Sequence, residues 1–220
     1  MHEITWHDQQ LQLLPQRAVY WEAERTIWLA DPHFGKDASF RRAGIPVPQA
    51  SLHETLQRLT SVLAQTRAER LIVLGDFWHA RSGRTATTLD ALAQWRSQHQ
   101  QLHCILVRGN HDQAAGDPPQ EWRIECVAEC EQTPFQLRHH PPSEDGRTKS
   151  APSATPTVAG HVHPAYFLRE MRVPCFYFGK TEAILPAFGS FTGTHCVRPT
   201  RGDRVYLLAD GLVIPGPALD

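Results

Sequence analysis

An α/β fold with a largely parallel sheet at its centre is what this sequence predicts, and three observations carry the expectation. Short apolar runs recur in the first half, at 26–30 (TIWLA), 71–76 (LIVLGD) and 104–112 (CILVRGNHD). Helical spacing separates them, first through Leu52, Leu56, Leu59 and Leu63 and then through Leu89, Leu92 and Trp95. Beyond residue 130 the chain breaks instead into short apolar runs punctuated by Gly and Pro, which reads as strand-rich. Repeated strand–helix cycles build βα units, and their strands pair in parallel.

Taken in order, the opening segment alternates apolar and polar residues from Glu3 to Leu14 and again from Arg17 to Ala23. That alternation predicts half-buried strands with a turn near Pro15 and Gln16. A buried strand over Thr26–Ala30 runs straight into Asp31, and a helix follows from Pro48. The strand at 71–76 precedes a helix over 87–98, and a third strand ends in Gly109-Asn110-His111-Asp112. Later strands are expected within 133–139, 157–161, 174–179, 181–188 and 204–210. The stretch Pro141–Pro156 is rich in Ser, Pro, Thr and charge without periodicity, so 142–156 reads as a mobile surface loop. No internal repeat or domain boundary stands out, and 1–220 is read as one domain.

Composition narrows the class further. With 41% hydrophobic and 20% charged residues the chain resembles an ordinary globular domain. No apolar run reaches the length of a membrane span, and Met1–Asp8 lacks the basic and apolar regions of a secretory signal. A cytoplasmic protein is therefore expected. A net charge of −1 excludes no partner, because local basic patches matter more than totals. The five cysteines are scattered; Cys126 and Cys130 have the spacing of one helical turn, but no second pair completes a metal-ligand pattern. Reduced, partly buried thiols are expected. Histidine is the unusual component, with 13 copies.

Four segments share one grammar: an apolar strand ends, and Asp, Asn or His follows at once. They are Asp31-Pro32-His33, Gly75-Asp76, Gly109-Asn110-His111-Asp112 and Gly160-His161-Val162-His163. Strand carboxyl ends are where open α/β sheets bind ligands. In extended backbone, residues two apart face one side, which pairs Asp31 with His33 and His161 with His163. Carboxylates, an amide oxygen and imidazoles without thiolate suit Mn, Fe, Zn or related divalent ions. A carboxylate can bridge two cations, and Asp76 is the natural candidate.

The ordered set D-x-H, G-D, G-N-H-D, H and G-H-x-H over residues 31–163 resembles the calcineurin-like metallophosphoesterase superfamily. The resemblance implies a two-sheet β-sandwich flanked by helices (αββα) with two divalent metal ions at the strand ends. It implies one ion on Asp31, His33, Asp76 and His163, and the other on Asp76, Asn110, His139 and His161. His139 is favoured over His140 because the ligand stands two residues before proline, here Pro141. His111 takes the place of the histidine beside the leaving group, with Asp112 orienting its ring. Pro32 departs from the usual apolar or small residue, and it ends the strand by Asp31. The stretch DPHFGKDASFR at 31–41, followed by GIPVP at 44–48, is similar to bacterial ligase-associated DNA damage response endonucleases. That narrower likeness implies a DNA-processing role, with a DNA ligase, a helicase-like protein and an exonuclease-like protein as genomic neighbours.

Around this set, Lys36 and Arg41 are candidates for phosphate contact, while Arg42, Arg81 and Arg84 read as surface charge. His79 and His140 are expected at the pocket rim or facing substrate. Phe34, Phe40, Phe77 and Trp78 can stack on bases, but core or rim packing is the first expectation. The resemblance leads to the expectation that two divalent ions would clamp the attacking and leaving oxygens of an in-line displacement, with a hydroxide between them expected as nucleophile. Mn is the expected ion, with Fe, Zn or Ni as alternatives. A lipid-linked pyrophosphatase of like metal grammar would carry an apolar helical insert, whereas 113–156 is polar and Pro-rich. Nucleotide phosphodiesterase activity stays open, and a catalytically inactive scaffold is disfavoured because every ligand position is filled.

Overall fold

The computed structural model describes residues 1–47, 51–142 and 155–217. The first sheet runs in chain order through β1 (His2–Trp6), β2 (Gln9–Leu14), β3 (Ala18–Trp21), β4 (Thr26–Leu29), β5 (Arg70–Leu74), β6 (His103–Val107) and β7 (Ile124–Val127). Strands β1 to β4 are joined antiparallel, and β4 to β7 pair in parallel. Helices α1 (Lys36–Arg42), α2 (Ser51–Thr66), α3 (Ala86–Gln98) and α4 (Asn110–Ala115) occupy the crossovers between the parallel strands. The parallel half is the one the strand–helix cycles predict.

The second sheet contains β8 (Cys130–Gln132), β9 (Phe135–Leu137), β10 (Thr157–Ala159), β11 (Pro164–Leu168), β12 (Met171–Phe178), β13 (Glu182–Ile184) and β14 (His195–Cys196). Their order is β14-β11-β12-β13-β10-β9-β8, and the hairpin of β15 (Arg204–Ala209) and β16 (Leu212–Pro215) joins along β12. Period-two alternation decides which layer each side chain enters. Leu71 and Val73 pack with Leu56, Leu59, Leu92 and Trp95 of α2 and α3. Their neighbours Ile72 and Leu74 pack instead with Phe135, Val158 and Phe176 of the second sheet. On β12, Phe176 and Phe178 enter this inter-sheet core, while Cys175 and Tyr177 join Val205 and Leu207 on the far face. The result is the expected two-sheet sandwich, with α2 and α3 packed against the first sheet.

Several details differ from the sequence reading. The alternating run from Glu3 to Leu14 is two strands, because His7 and Asp8 both take φ near +50 to +60° and form a two-residue hairpin loop. Such a turn matches the right-handed twist of its strands. Cys126 and Cys130 lie on β7 and β8 and not on a helix, and all five cysteines are free thiols. The loop expected at 142–156 and the helix start expected at Pro48 fall largely outside the described residues. No helix among the described residues is long and apolar enough to cross a membrane.

The inter-sheet core centres on Phe135, which is 1% exposed and lies against Trp6, Trp21 and Trp28 at centroid distances of 5.2–5.4 Å. Trp28 is anchored there by its indole N–H, which donates to Gln132 Oε1 at 2.8 Å. Removing an aromatic ring from such a site loses its burial and leaves a cavity. Phe135→Ala is expected to lower the unfolding free energy by about 3–5 kcal/mol, measured by denaturant titration.

Candidate metal centre

The four strand-end segments converge as their grammar predicts. Asp31 and His33 follow β4, Asp76 follows β5, and Asn110 opens α4 just past β6. From the second sheet, His139 follows β9, and His161 and His163 follow β10. Backbone bonds zip the first two segments together: Asp31 N–H donates to Gly75 O, His33 N–H to Asp76 O and Phe34 N–H to Phe77 O. The sheets are joined at the same point, because His161 N–H donates to Asp31 Oδ2 at 2.8 Å.

The pairing of Asp31 with His33, and of His161 with His163, has a different cause from the one the sequence implied. These residues are not extended. Asp31, His33, Asp76, His161 and His163 all have φ between 47° and 67°. Left-handed backbone is unfavourable for such residues, and conformations of this kind gather at functional sites. Pro32 permits this course, since β4 has already ended at Leu29.

Glycines make the close approach possible. A side chain at Gly75, where φ is +80°, would strike the His139 ring, and one at Gly109 would strike Asp76 Oδ1 at 2.3 Å.

Hydrogen bonding fixes how the imidazoles face the cluster. His139 Nδ1–H donates to Leu74 O and His163 Nδ1–H to Gly193 O, each at 3.0 Å. In its neutral form each ring turns an unprotonated Nε2 inward. Burial keeps them neutral by lowering the pKa of His33 to about 2 and those of His139 and His161 to about 4. For His163 burial also lowers the pKa, but its hydrogen bond and attraction to Asp31 outweigh that and raise it. Burial raises the Asp76 carboxyl.

Around His139 Nε2 lie Asn110 Oδ1 at 3.0 Å, His161 Nδ1 at 3.2 Å and Asp76 Oδ1 at 3.4 Å. His163 Nε2 is 3.6 Å from Asp31 Oδ2, and His33 Nε2 is 3.9 Å from Asp76 Oδ2. Asp31 Oδ1, His33 Nδ1 and His163 Nε2 are buried without a hydrogen-bond partner. Lone pairs and carboxylates gathered this way repel one another unless a cation lies among them. The spacing suits one: ligand bonds of about 2.0–2.2 Å place adjacent donors about 3.0–3.6 Å apart. Asp31, His33 and His163 form one group whose donor atoms all lie within 4.8 Å, and Asp31, Asp76 and His139 form another. The residues present thus fit divalent ions.

His139 and His140 separate by environment. His139 is 2% exposed at the centre of the cluster, whereas His140 is exposed, with its ring centroid 4.2 Å from that of His161. His79 lines the opposite side, stacked on His111 at 5.4 Å, with its pKa lowered to about 4 by burial. Together His33, His79 and His111 also bring donor atoms within 4.8 Å, so His79 is closer to ligand geometry than a rim position implies.

Asp112 requires a correction. Its Oδ1 accepts from Trp78 N–H at 3.0 Å and its Oδ2 from Gly109 N–H at 2.9 Å. Both oxygens thus hold backbone, and the His111 ring is held by its own Nδ1–H donating to the His79 carbonyl. Local sequence could not reveal this, because a backbone acceptor has no residue signature. Asp112 instead braces the loop after β5 against the first turn of α4, where a carboxylate also suits the helix dipole.

Of the basic candidates, Lys36 is partly buried in the field of Asp31 and Asp76, and burial lowers its pKa. Arg41 turns to Asp37 at 3.1 Å. Arg84 donates to Ala115 O at 2.7 Å and lies over the Trp78 ring, so it braces the fold. Phe34, Phe77 and Trp78 are buried, in keeping with core packing. Phe40 meets His79 edge to face at 5.5 Å.

No family model and no curated protein matches the chain. Among solved structures, the Pseudomonas putida nuclease MPE is 41% identical, with 98% of this chain and 99% of that chain covered at a TM-score of 0.83. A protein of unknown function from Aquifex aeolicus (20% identity, 66% of this chain and 81% of that chain, TM-score 0.38) is too distant to bear on the assignment. So is the E. coli phosphoesterase Yfce, at 16% identity, 89% and 99% coverage and a TM-score of 0.45. The chain belongs to the metallophosphoesterase family together with the Pseudomonas putida nuclease MPE, and it is a phosphoester hydrolase.

Proposed function

We propose that this enzyme is a two-metal nuclease that hydrolyses phosphodiester bonds in DNA. The observation that carries the reading is the convergence of seven donors from five strand ends, their buried lone pairs facing one another. Kinship with a nuclease supports the substrate class. Asp31, His33, Asp76 and His163 would hold one ion, and Asp76, Asn110, His139 and His161 would hold the other. Mn is the ion proposed, since the donors are hard oxygens and imidazoles without thiolate. The 31–48 sequence supports a DNA repair setting in the cytoplasm, with a DNA ligase and a helicase-like protein as partners.

When bound, the two ions neutralise charge on the phosphoryl oxygens and bring a water's pKa near neutrality. The chain's own groups do the rest. Lys36, whose ammonium lies 5.6 Å from the Phe40 ring centroid in the field of Asp31 and Asp76, is assigned to a non-bridging phosphate oxygen. His111 keeps one proton on Nδ1 through the His79 carbonyl, which leaves Nε2, 3.8 Å from Asp76 Oδ2, as the end that faces the reaction. A proton held at that Nε2 passes to the departing alkoxide, the role of a general acid. With its side chain 37% exposed, His111 reaches both solvent and substrate. His140, exposed beside His161, is assigned to the flanking phosphate.

His111→Ala is expected to retain both metals while losing about 10²–10⁴ of turnover on bis-p-nitrophenyl phosphate. Unchanged turnover would remove His111 from the role of acid. Asp76→Asn is expected to lower the occupancy of both ions, read by elemental analysis of the purified protein. Full loading of that variant would show that Asp76 is no bridge. Substrate class is tested with single-stranded, nicked and duplex DNA, a nucleotide and a lipid-linked pyrophosphate, each with Mn and after metal stripping. Metal-dependent cleavage of DNA is expected; cleavage of the pyrophosphate alone would overturn the reading.

A further inference from the structure

Phe191 is 54% exposed at a φ of 59°, a conformation that bulky side chains rarely adopt. An exposed ring in strained backbone adds nothing to the core, so its position calls for another explanation. The segment is fixed from behind: Phe188 N–H donates to Ala30 O, and Gly189 N–H to Asp31 O, directly beneath the metal ligands. Ser190 and Phe191 form a ridge shared by two grooves. One groove contains His33 and Lys36, and the other contains His163 and Arg17.

The cations near this ridge are Lys36, Arg17 and Arg58, and among the described residues the one carboxylate lining either groove, Asp37, is paired with Arg41. Arg17 donates to the carbonyls of Ala187 and Gly189, and Arg58 donates to Ser190 Oγ at 3.1 Å while lying over the Phe188 ring. Neither guanidinium has a carboxylate within ion-pair distance among the described residues, and the same holds for Lys36. Burial and the nearby Arg17 together lower the pKa of Arg58 to about 10 against a smaller opposing effect of Glu54, so an anion at this place would relieve the two guanidinium groups. An aromatic ring flanked by cations is the composition of a single-strand binding track: the bases stack and the phosphates follow the positive groove.

We propose that Phe191 is a stacking platform for a base of a single-stranded nucleic acid, with Lys36 in one flanking groove and Arg17 in the other receiving its phosphates and Arg58 adding positive charge behind Ser190. This assignment rests on the nuclease reading and specifies how that site takes hold of its substrate. Phe34, Phe77 and Trp78, the aromatic residues nearest the metal motifs in sequence, cannot do this because they are buried.

The test is the binding of full-length, metal-loaded protein to a cleavage-resistant phosphorothioate 12-nucleotide oligothymidylate and to an abasic strand of equal length, linkage and charge, by fluorescence anisotropy at one fixed salt concentration. Wild-type protein is expected to bind the thymidylate about tenfold more tightly, in line with the worth of one base–aromatic stack. Phe191→Ala is expected to lose that preference and bind both strands as wild type binds the abasic one, while Phe191→Trp keeps it. Equal binding of both strands by wild type, or an undiminished preference in Phe191→Ala, would overturn the platform and leave the nuclease reading intact. Failure of wild type to bind either strand would overturn both.

Discussion

The structure depends on electrostatic repulsion held in check at one point between the two sheets. Asp31 and Asp76 are buried to 0% and 2% exposure, beside imidazoles that burial holds neutral. Two carboxylates and several inward lone pairs cannot share such a space without positive charge, because desolvation removes the water that would otherwise screen them. Much of the surrounding architecture keeps these donors facing one another despite that cost. Backbone bonds from Gly75, Asp76 and Phe77 tie the loop after β4 to the loop after β5, and His161 N–H on Asp31 ties one sheet to the other. The aromatic core around Phe135 supplies the packing that holds those sheets together.

Local backbone strain is the second part of the arrangement. Five candidate ligands occupy left-handed backbone, each at a cost of about 1–2 kcal/mol relative to ordinary conformations. The cost is tolerable because glycines at 75 and 109 leave room for His139 and Asp76 to close on one another. It also fixes the side-chain directions, so that the donor spacing is set before any cation enters. A preformed site of this kind requires little rearrangement on loading, which favours retention of its ions.

Much of this was legible in the sequence. Three strand–helix cycles predicted the parallel half, and the Asp, Asn and His residues at strand ends predicted the cluster. What sequence could not supply was backbone conformation and backbone partners. The x between Asp31 and His33 reads as extended spacing, yet two left-handed residues around Pro32 produce the same pairing by another path. The partner of His111 is a carbonyl, and Asp112, its apparent neighbour, is drawn away to Trp78 and Gly109. Phe191 has no signature in the sequence for a related reason: it stands far from every motif, and its segment is brought beside the cluster by the backbone bonds from Phe188 to Ala30 and from Gly189 to Asp31.

The most direct test of the central claim is anomalous scattering at the manganese edge from crystals soaked with Mn. Two peaks are expected, one among Asp31, His33, Asp76 and His163, the other among Asp76, Asn110, His139 and His161, with Asp76 touching both. A single peak, or density held by His140 or His79 in place of the named ligands, would contradict the account.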